Sequence, residues 1–191
     1  IIQETSNIFW VLFKVILPVI IVIRVLELLG AIPYLAKFLE PLTGFIGIDG
    51  SLGLVWMAAI LVNIYAGMAA FASLQPIFDY TVAETTILGL IILIAHSLPI
   101  EVAIARKSRV SGIFNLLFRF INAVIAGKIL NYIFIKFDLF NEKNQSILEI
   151  PEKITSNLDW LILQSKNFFI IFLIIFLIIS TINILKFIGL W

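Results

Sequence analysis

Of the 191 residues (21.5 kDa), 62% are hydrophobic and only 13% charged, with a mean hydropathy of +1.14, where soluble domains carry about 45–50% apolar and roughly 25% charged residues. The balance of 13 Lys+Arg against 12 Asp+Glu, a formal +1, lacks the basic footprint a nucleic-acid partner needs. With no cysteine and one histidine, disulfide frameworks and multi-His or Cys/His metal sites are excluded; no metal and no cofactor is expected, and the composition implies an all-α integral membrane protein in a lipid bilayer.

The chain opens on Ile1 rather than methionine, which reads as processing, renumbering or a piece of a longer protein. The apolar run 8–32 is too long for a signal-peptide core and lacks a small-residue cleavage site, so residues 7–31 are expected to be a retained transmembrane helix, kinked at Pro18. Pro33, Lys37, Glu40 and Pro41 form a short interfacial piece. Gly44, Gly47, Gly50 and Gly53, around Asp49 and Ser51, mark a break; with no Gly-Lys-Ser/Thr and no preceding strand, they are turn and close-packing glycines rather than a phosphate loop.

Residues 51–74 place Asn63, Tyr65 and Gly67 between two apolar halves, each about half the length a spanning helix needs. A hairpin that enters the membrane and returns at Asn63 to Gly67, bounded by 44–79, is favoured over one continuous span. Thr81 and Glu84 form a capping box that opens a helix. Its apolar run is interrupted at His96-Ser-Leu-Pro-Ile-Glu101, resumes, and ends in Arg106, Lys107 and Arg109, so 81–107 reads as a helix broken inside the membrane. Residues 111–136 are the next span, with Asn115, Arg119 and Asn122 on one face expected to look inward. A polar loop, 137–157, leads to a final helix, 158–191, wholly apolar over 168–179.

Orientation follows from the basic cluster Arg106, Lys107 and Arg109, which belongs on the cytoplasmic side, whereas the loop with Asp138, Glu142, Glu149 and Glu152 belongs outside. Counting crossings from there places both Ile1 and Trp191 inside. The end of the last helix, Leu185-Lys-Phe-Ile-Gly189-Leu-Trp191, can be laid over Leu26-Glu-Leu-Leu-Gly30-Ala-Ile32. An odd number of crossings per unit would turn a second copy upside down, the inverted-repeat logic of secondary transporters. On this reading 1–136 is one transporter-like repeat and 158–191 opens an inverted second one. The remainder would come from further residues, a second subunit or an exchanged copy in a homodimer.

His96 and Glu101 lie at membrane depth, where ionisable groups are costly enough to suggest function. Pro99 removes a backbone donor and frees polar groups to meet a ligand. The competing account is structural: Glu101 pairs with Arg119, and His96 bonds a backbone carbonyl. Asn63 either meets a solute alongside Ser97 and Glu101 or caps the hairpin turn. Asn115, Arg119 and Asn122 either line the same cavity or join helices. Lys14, Arg24, Glu27, Lys128, Lys136 and Lys186 read as snorkelling or interfacial charges. No nucleophile and base can be paired, so an enzyme is not expected.

Asn63-Ile-Tyr-Ala-Gly67, Ala95-His-Ser-Leu-Pro-Ile-Glu101 and the Arg119 helix together resemble the nucleoside recognition, or "Gate", domain family of membrane proteins over residues 42–136. That family includes spore maturation proteins A and B, and similar segments occur in concentrative nucleoside transporters and in ferrous iron transporters of the FeoB type. The resemblance implies a transporter-like core in the inner membrane in which hairpin and broken helix face a substrate, with His96, Ser97 and Glu101 on the broken helix and Asn63 on the hairpin. The expected function is transport of a small, nucleoside-like polar solute, with proton coupling through Glu101 as a further expectation. The alternative is a non-transporting gate or scaffold subunit that needs a second Gate-type protein.

Overall fold

The computed structural model describes residues 2–75, 77–144 and 156–187, and among them every regular element is a helix. The chain is an all-α integral membrane protein: Val82–Lys107 and Gly112–Lys136 are each long and apolar enough to cross a bilayer, and the bent pair Phe13–Leu28 and Ile32–Ile46 would make a third span if taken together. It divides into two compact units, Ile1–Leu17 with Ser146–Trp191, and Pro18–Gln145.

Helix α1 (Ile2–Leu28) passes through Pro18 as one helix. The sharp turn lies later. Gly30, at φ +63°, supplies the left-handed residue that ends α1, with its amide on the Glu27 carbonyl at 2.9 Å and the Ala31 amide on that of Leu26 at 2.8 Å. The chain leaves at 106° into α2 (Ile32–Ile46). This piece is a full 15-residue helix running past Gly44, longer than the sequence suggested. It buries Ile32, Thr43 and Ile46 and exposes Tyr34, Phe38 and Phe45.

The 44–79 stretch therefore contributes its first residues to α2, and the hairpin proper is α3 (Gly50–Leu61) and α4 (Ile64–Leu74). Asp49 caps α3, its carboxylate accepting the Ser51 amide at 2.8 Å. Gly50 packs directly on the Ala36 carbonyl, so α2 and α3 approach closely. The turn falls at Val62 and Asn63; Asn63 caps α4 by accepting the Ala66 amide at 2.9 Å. Gly67 lies inside α4, where an added Cβ would stand 2.8 Å from the Ala59 Cβ. Its role is close packing of the two antiparallel arms, not the turn.

The broken span is α5 (Val82–Ile94) and α6 (Leu98–Lys107). The Thr81–Glu84 capping box is formed at its start. Residues that follow α7 (Gly112–Lys136) fold back over this end, where the Glu142 and Phe140 carbonyls accept the Val82 and Ala83 amides at 3.0 and 2.9 Å. The core joins Ile46, Leu52, Val55, Ile87, Ile91 and Ala123. Gly127 allows α7 in, since a Cβ there would meet Ile46 Cγ2 at 2.5 Å and Ile91 Cγ2 at 2.9 Å.

In the other unit, α8 (Asn157–Phe187) is 31 residues long, about 46 Å at 1.5 Å per residue. Ser156 caps it by accepting the Asp159 amide at 3.1 Å. Lys14 lies over the Trp10 ring at 5.6 Å. Most of the acidic loop, 145–155 with Glu149 and Glu152, and the last residues of the 185–191 repeat motif lie outside the described residues, as do Ile1 and Trp191.

Candidate functional site

The break in the second span is Ala95-His-Ser97, between the last turn of α5 and the first of α6. Two features of the sequence enforce it. Pro99 sits in the first turn of α6 and cannot donate to α5. Ser97 takes φ +49°, a left-handed conformation that interrupts helical progression in a non-glycine residue. The interruption orphans carbonyls at the end of α5, and in an apolar setting each needs a donor.

Those donors come from three elements. The Ala95 carbonyl accepts the Trp56 indole N–H of α3 at 3.2 Å, and that of Ile94 accepts Arg119 Nε of α7 at 2.9 Å. The Ile92 carbonyl pairs with His96 Nδ1 at 2.9 Å. A reciprocal bond runs to the hairpin: the Ser97 amide donates to the Ala59 carbonyl at 2.9 Å, near the end of α3 where the hairpin turn has itself removed the usual i+4 amide. Trp56 also stacks on Phe120 of α7, ring centroids 5.2 Å apart at 5°. The hairpin tip is thus held against the break.

Arg119 reaches both halves of the broken span. Besides the Ile94 carbonyl on α5 it pairs with Glu101 on α6, Nη1 to Oε2 at 3.1 Å, with side chains 23% and 37% exposed. His96 and Ser97 are half-buried, and Ser97 makes no side-chain cap bond at α6. His96 Nε2, the Ser97 hydroxyl and the second Glu101 oxygen have no protein partner among the described residues.

The structure brings His96, Ser97, Glu101 and Arg119 together. Asn63 stands at the hairpin turn, with its carboxamide oxygen spent on the cap. Asn122 points elsewhere: it is exposed, and its amide donates to the Phe118 carbonyl of its own helix at 2.6 Å. Trp56 is the residue sequence reasoning passed over. Its signal was an indole within an apolar half-span, since an N–H in such surroundings requires an acceptor.

A second polar group lies at the base of the hairpin. Ser51, fully buried, bonds the Asp49 carboxylate at 2.5 Å and the Tyr80 hydroxyl at 2.7 Å. Glu84 accepts the Asp49 amide at 3.1 Å while closing its capping box on Thr81. Burial, reinforced by the Asp49 and Glu84 charges and opposed by the Ser51 bond, pushes the Tyr80 phenol above its usual range, so it stays protonated. No group of three or more His, Cys, Asp or Glu among the described residues could hold a metal ion.

No family model matches the chain, and no solved structure does. Over 98 residues the chain is 31% identical to Uncharacterized membrane protein YvoD of Bacillus subtilis (strain 168), a match that covers 51% of this chain and 30% of that protein. The chain thus spans less than a third of this relative by matched length, and what the two share by name is the membrane.

Proposed function

We propose that this chain is a transporter-like unit for a small, polar, nucleoside-like solute, with the site between the hairpin tip and the break of the second span. The observation that carries it is the seating of the tip on the break through the Ser97 amide and the Ala59 carbonyl. A half-length helical pair meeting an interrupted span is the arrangement in which membrane proteins expose backbone polar groups to a solute without exposing them to lipid. Around it stand an imidazole, a hydroxyl, a carboxylate and a guanidinium, donors and acceptors in the mixture a heterocycle with hydroxyls requires. In this reading Ser97 and Glu101 bind the solute, His96 and Arg119 orient them, and Asn63 shapes the tip. The resemblance to the Gate domain family, an inner-membrane location with Arg106 to Arg109 cytoplasmic, and transport without covalent chemistry belong to the same proposal.

The test is thermal stabilisation of the purified chain by uridine, adenosine, guanosine, uracil and adenine, with Glu101→Gln alongside, since a ligand that binds the native state raises its stability by mass action. A shift in the wild type that Glu101→Gln erases, with the unliganded midpoint preserved, supports the assignment. Equal shifts in both proteins remove Glu101 from the site. A flat panel overturns the nucleoside-like reading and favours a gate subunit that binds only with its partner.

A further inference from the structure

On α7, residues Asn115, Phe118, Asn122, Ile125, Ile129 and Tyr132 recur at alternating spacings of three and four, a heptad seam with asparagine at two successive a positions. The seam faces away from the core. Phe118, Ile125, Ile129 and Tyr132 are 50–62% exposed, Asn122 is exposed and Asn115 half-buried. The core-facing residues of the same helix are others: Gly112, Ala123, Gly127 and Phe134.

An asparagine on the outward face of a membrane span is expensive to leave in hydrocarbon. Asn122 satisfies one amide hydrogen on the Phe118 carbonyl, which leaves its carbonyl oxygen and second amide hydrogen without a partner among the described residues. A lipid chain offers neither donor nor acceptor.

We infer that this seam is a self-association surface whose occupant is α7 of a second copy of the chain. The choice of occupant rests on register and chemistry. Copies inserted in the same direction place their α7 helices parallel, and in a parallel heptad pair each a position faces its own counterpart. Asn122 then meets Asn122 of the second copy, and because a carboxamide is both donor and acceptor, the symmetric pair satisfies both at once. Phe118, Ile125 and Ile129 supply the apolar packing above and below it. The proposal does not depend on a solute being found.

Residues 1–191 contain no cysteine, so single-cysteine variants can report the contact in membranes. Oxidative cross-linking is expected to yield disulfide dimers of Phe118→Cys, Ile125→Cys and Ile129→Cys, and none of Leu117→Cys, which is 48% exposed but at a c position off the seam. In two differently tagged copies, Asn122→Leu should weaken co-purification about 3- to 15-fold, the range for one interhelical hydrogen-bonded contact in a membrane, while Asn122→Gln retains it. Equal cross-linking at Leu117 and the seam positions would overturn the proposal. So would undiminished co-purification of Asn122→Leu, or seam cysteines that remain monomeric, which would leave the face to lipid, another protein or another part of the same chain.

Discussion

Replacing Arg119 by leucine removes two bonds with one substitution, and their unequal consequences can be separated. The Glu101 carboxylate loses its cation, a change that costs about 3–5 kcal/mol for a fully buried pair. Here the side chains are 23% and 37% exposed, which brings that contribution to about 2–3 kcal/mol. The Ile94 carbonyl loses the Arg119 Nε donor, at about 1–3 kcal/mol for a buried unsatisfied acceptor. Arg119→Leu is therefore expected to destabilise by about 3–6 kcal/mol. Glu101→Leu should cost less, about 1–2 kcal/mol, because Arg119 keeps the Ile94 carbonyl and its freed Nη1 can extend toward water. In the double variant no charge is left unpaired, so its loss should fall short of the summed single losses by about 1–2 kcal/mol. Reversible unfolding in bicelles of the four proteins measures the cycle. Losses that add to within about 0.5 kcal/mol would show that Glu101 and Arg119 do not act as a pair, and the account of the break as cross-linked through Arg119 would fall.

Two further outcomes follow from close contacts elsewhere. Gly67→Val should destabilise by about 1–3 kcal/mol, because even its Cβ stands 2.8 Å from the Ala59 Cβ; Ala59→Gly in the same background should recover part of the loss in unfolding measurements, and no recovery would remove this contact as the cause. Tyr80 holds its proton in the folded state above the pH near 10.0 at which an ordinary tyrosine releases it. The folded state then binds more protons than the unfolded one at alkaline pH, so stability is intact below that value and falls as pH rises beyond it. Thermal midpoints across the alkaline range measure the slope, and Tyr80→Phe should flatten it; an unchanged slope would show that Tyr80 does not set it.

Much of this architecture was legible because the bilayer restricts the options. The half-length apolar runs on either side of Asn63, the Thr81–Glu84 box and Pro99 each have one local consequence, and α4, α5 and α6 begin beside them at Ile64, Val82 and Leu98. The first bend was harder to see. Pro18 attracts attention as a helix breaker, yet a proline within a membrane helix is tolerated when its surroundings accommodate the freed carbonyl, whereas Gly30 ends α1 through a positive φ that only the backbone reveals. Likewise Asn122 shares a periodicity with Arg119, but a helix 25 residues long packs on neighbours along one side only. Spacing placed both residues on one stripe. It could not say that the edge of the core passes between them.

The two interruptions in the membrane region explain each other. A hairpin turn halfway along a span strands the carbonyls of α3, and a broken helix strands those of α5; either alone would meet lipid at a cost of several kcal/mol per group. Side by side, the Ser97 amide serves Ala59 while Trp56 serves Ala95, so each break supplies a donor that the other lacks. The same arrangement constrains how the site could open. Withdrawing the tip from the break would strand the Ala59 and Ala95 carbonyls together, so the movement requires replacement donors delivered to that place. Water or the hydroxyl and amino groups of a polar solute can supply them, and an apolar solute cannot. Under the proposed function, the selection of polar over apolar solutes therefore begins with the backbone, before any side chain has made contact.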